Sequence, residues 1–140
     1  MRITTSGRYA LRASLALARL KKDGQPISVS ALAEDEEIPL VFLEQIFFKL
    51  RKAGLVSAVR GPGGGFYFAK PLEKLTVKQI FDAAGENLDV TFCNKRSDNC
   101  KRANTCVTHH VLTNAQELVN NYFEGITLAS LIKNKGGQFV

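Results

Sequence analysis

Residues 60–65 read Arg60-Gly61-Pro62-Gly63-Gly64-Gly65, and no regular element can run through them. Glycine loses more backbone entropy than any other residue when ordered, and proline lacks an N–H and has a fixed φ. Leu55-Val56-Ser57-Ala58-Val59 precedes the run and Phe66-Tyr67-Phe68-Ala69 follows it, both rich in β-branched or aromatic residues. The pattern predicts two antiparallel strands joined by a flexible turn. A phosphate-binding loop also uses such glycines, but no Gly-Lys-Ser/Thr closes the run and no helix follows at once. At a hairpin tip, glycines let the backbone approach a narrow surface closely, and Arg60 adds a charge there. A DNA minor groove is such a surface, which makes Arg60, Gly61, Gly63 and Gly64 candidate contacts.

The chain before the hairpin has helical spacing. Ser6 can cap a helix reaching about Lys22, with Ala10, Leu11, Ala13, Ser14, Leu17 and Ala18 as small and apolar packing positions. Asp23-Gly24-Gln25-Pro26 ends it. Ser28 or Ser30 opens a short helix from Val29 to about Glu36, and Ile38-Pro39 marks a tight turn. Pro39 fits the first position of a third helix, which runs to Ala53 and stops at Gly54. In that helix Leu43, Ile46, Phe47 and Leu50 form an inward stripe, while Val41, Glu44, Gln45, Phe48, Arg51 and Lys52 face away. Short helix, tight turn and longer helix make the helix-turn-helix pattern. A helical hairpin inside a core would read the same way, but the strand pair that follows it sits where a wing would.

Beyond the hairpin, Leu75–Ala84 predicts a short amphipathic helix with Val77, Ile80, Phe81 and Ala84 apolar. From about Val107 to Phe123 the spacing is helical again. Val111, Ala115, Leu118 and Tyr122 fall on one line, and Leu112, Val119, Phe123 and Ile126 lie beside it. So wide a stripe needs more cover than one small neighbouring helix gives. It reads as a subunit interface, with a buried core helix as the alternative. Thr127 caps a last helix over 128–134, and residues 135–140 read as a tail.

All three cysteines, Cys93, Cys100 and Cys106, fall within fourteen residues, and His109 and His110 follow. Three thiolates and an imidazole can close a tetrahedral metal site or hold an iron–sulfur cluster. Counted to His110, the spacing Cys-x6-Cys-x5-Cys-x3-His is close to a three-cysteine, one-histidine zinc finger, with Lys95, Arg96, Lys101 and Arg102 as a basic rim. Left unliganded, such loop thiols would be open to oxidation. An odd cysteine count argues against a disulfide framework. No apolar run approaches the ~20 residues that span a membrane, and the N-terminus lacks a secretion signal, so a cytoplasmic protein is expected. Of the net charge of +6, most lies in residues 1–70, where 11 Lys/Arg stand against 6 Asp/Glu. That asymmetry points to a polyanion, nucleic acid before anionic membrane.

Read together, Met1-Arg2-Ile3-Thr4, Gly7-Arg8-Tyr9-Ala10, Leu43-Glu44-Gln45-Ile46-Phe47, Leu50-Arg51-Lys52-Ala53-Gly54-Leu55-Val56, Val59-Arg60-Gly61-Pro62-Gly63-Gly64-Gly65-Phe66, Cys106-Val107-Thr108-His109 and Ile126-Thr127-Leu128 resemble the Rrf family of winged-helix transcription regulators. The likeness covers nearly the whole chain and is closest to family members that carry iron–sulfur clusters. It implies a mainly α fold with a small β-hairpin: a winged helix-turn-helix DNA-binding domain over residues 1–84, a cluster-binding loop over 85–110, and dimerisation and terminal helices over 107–134. It further implies a homodimer on a palindromic site in double-stranded DNA, no membrane partner and no enzymatic activity. By position, Glu44 and Gln45 become base-edge candidates and Arg60 a minor-groove candidate. Arg51 and Lys52 are phosphate candidates on charge grounds.

By the same resemblance, Cys93, Cys100, Cys106 and His109 would hold a 2Fe–2S cluster, with His110 the alternative fourth ligand. A 4Fe–4S cluster and zinc are the alternative centres. Some family members take the fourth ligand from an acid at the position of Arg8, and a permanently cationic arginine cannot serve. The first gap, between Cys93 and Cys100, is one residue longer than in the cluster-carrying relatives. Pro39 and Val41 stand where those relatives carry small hydroxyl residues, which points to a different target sequence. The expected function is transcription regulation that senses cluster status or oxidative stress. The competing readings are a zinc-clipped nucleic-acid-binding protein without redox sensing, a small electron-transfer protein, and a scaffold that only binds partners.

Overall fold

The computed structural model describes residues 1–21, 24–94 and 100–134. Six α-helices and one hairpin follow in the order α1 (Thr5–Leu20), α2 (Val29–Glu36), α3 (Leu40–Lys52), β1 (Val56–Val59), β2 (Gly65–Phe68), α4 (Val77–Ala84), α5 (Val107–Glu124) and α6 (Leu128–Lys133). Short 3-10 turns at Leu72–Lys74 and Phe92–Asn94 interrupt the connections. The mainly helical, winged architecture is the one the sequence predicts.

Helix α1 is the floor of the core. Ala10, Ala13, Ala16 and Leu17 are buried, and their small side chains let other helices approach closely. The buried Ser14 hydroxyl donates to the Ala10 carbonyl at 2.7 Å, so it carries no unmet hydrogen bond. The cap differs from expectation. Thr4, not Ser6, is the N-cap, its hydroxyl oxygen accepting the Gly7 N–H at 3.2 Å. The cause is distant in sequence: the Glu86 carboxylate accepts the N–H groups of Thr4 and Gly7 at 3.2 and 3.0 Å and also accepts a hydrogen bond from the Thr4 hydroxyl. An anion at the positive end of the helix fixes where it starts. The helix ends at Leu20, and the Lys22 and Asp23 of the expected boundary lie outside the described residues.

Ser28 caps α2, accepting the Ala31 N–H at 3.1 Å. The turn into α3 uses Glu37 in the left-handed region (φ 54), whose N–H reaches the carbonyls of Ala33 and Glu34. Ile38 is then buried, and Pro39 occupies the N-cap instead of the first helical position. Glu36 locks α2 to α1 through Arg12 (3.1 Å) and Arg19 (2.7 Å). Leu43, Ile46, Phe47 and Leu50 are buried as their spacing predicts.

β1 and β2 pair antiparallel from Val56↔Phe68 to Val59↔Gly65. Ile27 adds a two-bond bridge to Phe66, with N–H···O distances of 2.9 and 2.8 Å, which ties the hairpin to the entrance of α2. α4 starts two residues later than expected, at Val77, because Thr76 and Gln79 form a capping box. Thr127 and Ser130 do the same for α6. The two caps sit side by side, with Val77 N–H on the Ile126 carbonyl at 2.9 Å and Leu128 N–H on the Leu75 carbonyl at 2.8 Å. Leu128 thereby enters the main core. Phe81 and Phe123, 5.2 Å apart edge to face, join α4 to α5 in a smaller second cluster.

Gly65 holds the bridge to Ile27 open. Its φ is 152, and an added Cβ would lie 2.2 Å from the Ile27 carbonyl oxygen. Gly65→Ala should therefore lower stability by roughly 1–3 kcal/mol in urea unfolding and expose the Phe66 amide to hydrogen exchange. A wild-type midpoint and an unchanged Phe66 exchange rate would show that the bridge does not hold the hairpin.

Candidate functional site

Two regions carry the residues singled out by sequence. The first is the outer face of α3. Turning by 3.6 residues, the buried stripe sends Val41, Gln45, Phe48 and Lys52 to the opposite side, with Glu44 and Arg51 on one flank. All six are exposed. Three cations, Lys49, Arg51 and Lys52, fill the last turn of α3, where the helix dipole favours positive charge. Among the described residues no carboxylate forms an ion pair with them or with Arg60; the ion pairs present engage Arg12, Arg19 and Lys78.

Arg60, Gly61 and Gly63 are exposed at the hairpin turn, and Gly64 is half-buried. A Cβ on Gly64 would lie 2.2 Å from the Val59 carbonyl oxygen, so only glycine closes this turn without displacing the backbone. Phe47 and Phe66, with ring centroids 5.0 Å apart, fix α3 against β2. The candidate contacts on helix and hairpin thus belong to one packed unit.

The second region is the cysteine loop. Cys93 is half-buried in the turn Phe92–Asn94, its N–H donating to the Thr91 hydroxyl oxygen at 3.3 Å. Cys100 is exposed and opens a series of turns, with the Ala103 N–H on its carbonyl at 3.2 Å. Cys106 is the N-cap of α5, its Sγ accepting the His109 N–H at 3.4 Å. His109 is half-buried and His110 exposed, their rings 5.9 Å apart. Lys95 and Arg96 of the expected basic rim lie outside the described residues, whereas Lys101 and Arg102 are exposed. Among the described residues, no three Cys, His, Asp or Glu side chains converge closely enough to hold a metal ion. The structure joins the His109 backbone N–H to the Cys106 sulfur and does not gather the four candidate ligands into one site.

The donor chemistry nonetheless fits a soft metal centre. The N-terminus of an 18-residue helix turns the His109 N–H toward the Cys106 sulfur, a polarity suited to a metal-bound thiolate. One turn on, His109 offers a borderline nitrogen donor on the same helix.

The sequence reading missed what anchors this loop. Among the described residues of α5, Gln116 alone is buried. Its Oε1 accepts the Val90 N–H at 2.6 Å, and its Nε2 donates to the Leu88 carbonyl at 2.9 Å and to Asn120 Oδ1 at 3.2 Å. This clip holds the segment leading to Cys93 against the helix that carries Cys106. One glutamine among polar neighbours gives no signal in a sequence. Elsewhere on α5, Val107, Val111, Leu118 and Tyr122 are 75, 60, 72 and 53% exposed, so the buried-helix alternative does not hold for this chain. No helix among the described residues is long and apolar enough to cross a membrane.

Comparison with known proteins gives this geometry a family. Residues 3–134 match Rrf2, described as an iron-dependent transcriptional regulator. The HTH-type transcriptional regulator IscR of Yersinia pseudotuberculosis is 38% identical over 135 residues, which cover 96% of this chain and 81% of that protein. The solved IscR of T. potens is 27% identical with a TM-score of 0.75, covering 99% of this chain and 93% of that one. CymR, the global cysteine regulator of B. subtilis, also has a TM-score of 0.75 over 95% of this chain and 97% of its own, and at 24% identity it supports the fold alone.

Replacing Gln116 tests the clip. Gln116→Leu strands the Val90 N–H and the Leu88 carbonyl, which should cost about 1–3 kcal/mol in urea unfolding. The Val90 amide should exchange faster with solvent while amides of α1 and α3 stay protected. Unchanged protection at Val90 would remove Gln116 from this role.

Proposed function

The chain belongs to the Rrf2 family of transcriptional regulators, and from that premise we propose a homodimeric DNA switch whose input is an iron–sulfur cluster held by Cys93, Cys100, Cys106 and His109. It is a DNA-binding regulator and not an enzyme. In this reading residues 1–84 read DNA, residues 85–110 carry the cluster and residues 107–134 form the dimer. Residues 135–140, the proposed tail, lie outside the described residues.

The observation that carries the proposal is that one helix, α5, has a candidate ligand at its start and an exposed apolar stripe along it. Its N-cap is Cys106, and along its length it exposes the apolar positions 107, 111, 118 and 122. Isolated exposed apolar residues are ordinary, but four aligned on one helix favour a packing partner. A second copy of α5 offers a matching stripe. Each protomer would then place α3 in the major groove of one half of a palindromic site, with Glu44 and Gln45 at base edges and Arg51 and Lys52 at phosphates. Arg60, Gly61, Gly63 and Gly64 of the hairpin would lie at the minor groove.

His109 is favoured over His110 as fourth ligand because it is half-buried, whereas His110 is exposed. A 2Fe–2S cluster held there would supply an oxidant-sensitive cross-link between the two ends of the loop. The chain's own residues would pass the change onward. Gln116 ties residues 88–90 to α5, Phe123 packs on Phe81, and the strand-like bridge between Thr76 and Thr127 joins the end of α5 to the core. A shift of α5 would thus alter the separation of the two α3 helices. A coupling of about 1–3 kcal/mol would give roughly 5–150-fold regulation.

Anaerobic purification should yield a red-brown protein with iron and sulfide in equal amounts. Cys106→Ala should lose both and lose any difference in DNA affinity between loaded and stripped forms. A colourless zinc protein, or a Cys106→Ala variant that keeps its iron and sulfide, would overturn the proposal. Leu118→Glu should shift the protein from dimer to monomer in sedimentation and weaken binding to a palindrome. Arg51→Ala should lower the salt dependence of binding by about one phosphate contact.

A further inference from the structure

The outer face of α3 is not polar throughout. Val41 is 64% exposed and Phe48 65% exposed, more than most of the apolar side chains in this fold. They stand seven positions apart on the seam Val41–Gln45–Phe48–Lys52, opposite the buried Leu43, Ile46, Phe47 and Leu50. Nothing among the described residues covers them. We propose that Val41 and Phe48 are specificity-determining residues that read the 5-methyl groups of two thymines in the major groove, on either side of a base read by Gln45. The inference rests on α3 being the helix that enters that groove.

Charge decides what kind of surface this seam meets. Lys49, Arg51 and Lys52 are exposed around Phe48, and among the described residues no carboxylate forms an ion pair with them. A polyanion is the partner that such a surround favours. Within the major groove the base edges offer donors, acceptors and one apolar group, the thymine methyl. A valine or a phenylalanine can form no hydrogen bond to a base edge, so the methyl is the group that matches it. Gln45, between them, matches the N6 and N7 edge of adenine. Positions 41 and 48 are about 10.5 Å apart along the helix axis, since each residue rises about 1.5 Å. With about 3.4 Å per base step, the two thymines stand up to three steps apart. The expected half-site is therefore A·T-rich at its centre, with thymines at both flanks. Uncovered apolar side chains gain from this contact what they lose in water, roughly fourfold in affinity for one buried methyl.

The operator itself can be selected within the test. The full chain, purified anaerobically, would first select duplexes from a randomised pool. Each thymine of the selected half-site would then be replaced singly by deoxyuridine, which removes only the methyl, and binding read by fluorescence anisotropy at fixed salt. Wild type should lose roughly fourfold in affinity at two positions. Val41→Ser should abolish the loss at one of them and Phe48→Ser at the other, with circular dichroism unchanged because both side chains are on the surface. Indifference of wild type to every substitution, or serine variants that keep the loss, would overturn the inference while leaving DNA reading by α3 intact. Selected duplexes bound without any role for α3, shown by Gln45→Ala and Phe48→Ser leaving selectivity unchanged, would overturn both. A change in oligomeric state with no change in selectivity in Phe48→Ser would identify this seam as a protein contact and likewise exclude methyl reading.

Discussion

Phe47 is the contact on which the functional geometry depends. It is fully buried, and its ring lies 5.0 Å from that of Phe66 on the hairpin. One side chain therefore belongs both to the inward stripe of α3 and to the packing of β2. Because α3 is a rigid rod with fixed periodicity, burying Phe47 with Leu43, Ile46 and Leu50 also determines which residues face outward. Because the same ring supports β2, the turn carrying Arg60 cannot move independently of that outward face. The Ile27–Phe66 bridge and the glycines at 64 and 65 complete the constraint, since each removes a way for the hairpin to swing.

Much of this was legible in the sequence, for identifiable reasons. Helical and strand periods are local, so the inward stripe of α3 and the two strands around the glycine run could be read directly. The wide stripe on α5 was legible as a problem of supply, too many apolar positions for one small neighbour to cover, and three of those positions, Val111, Leu118 and Tyr122, are exposed in the protomer. Long-range polar contacts were not legible. The start of α1 is set by Glu86, 82 positions from Thr4, and no local rule ranks Thr4 above Ser6 as a cap. Gln116 was hidden for the same reason, because a buried amide is recognised only by what surrounds it. The cysteine loop lies between these cases: spacing supplies a list of donors, but their convergence depends on a chain path that passes through residues 95–99, outside the described residues.

The route from that loop to the reading face is short and made of stiff parts. Gln116 fastens the incoming segment to the middle of α5, and Cys106 sits at its start. At the far end, Phe123 and the Thr76–Thr127 bridge dock α5 onto α4 and α6. Leu128 of α6 and Ile80 of α4 share the core that holds α1 and α3. In the proposed switch a rearrangement at the loop would be delivered to the core through these packed helices and this paired backbone. Tight packing of this kind transmits displacement instead of absorbing it.

Affinity and selectivity are separated on the protomer surface by what has been done with its charges. Arg12 and Arg19 are engaged internally, bound to Asp35 and Glu36 to hold α1 against α2. Among the described residues the cations of α3 and Arg60 form no such ion pairs, so they would supply the long-range attraction to a polyanion. That attraction is indifferent to sequence. In the proposed complex discrimination would come from short-range groups along the α3 seam, where Val41 and Phe48 stand beside Glu44 and Gln45. A hydroxyl at position 41 can donate to one base and accept from another, whereas a valine rejects both and accepts only a methyl. In the proposed complex the apolar side chains on this face would therefore narrow the choice of target without weakening the electrostatic hold on DNA.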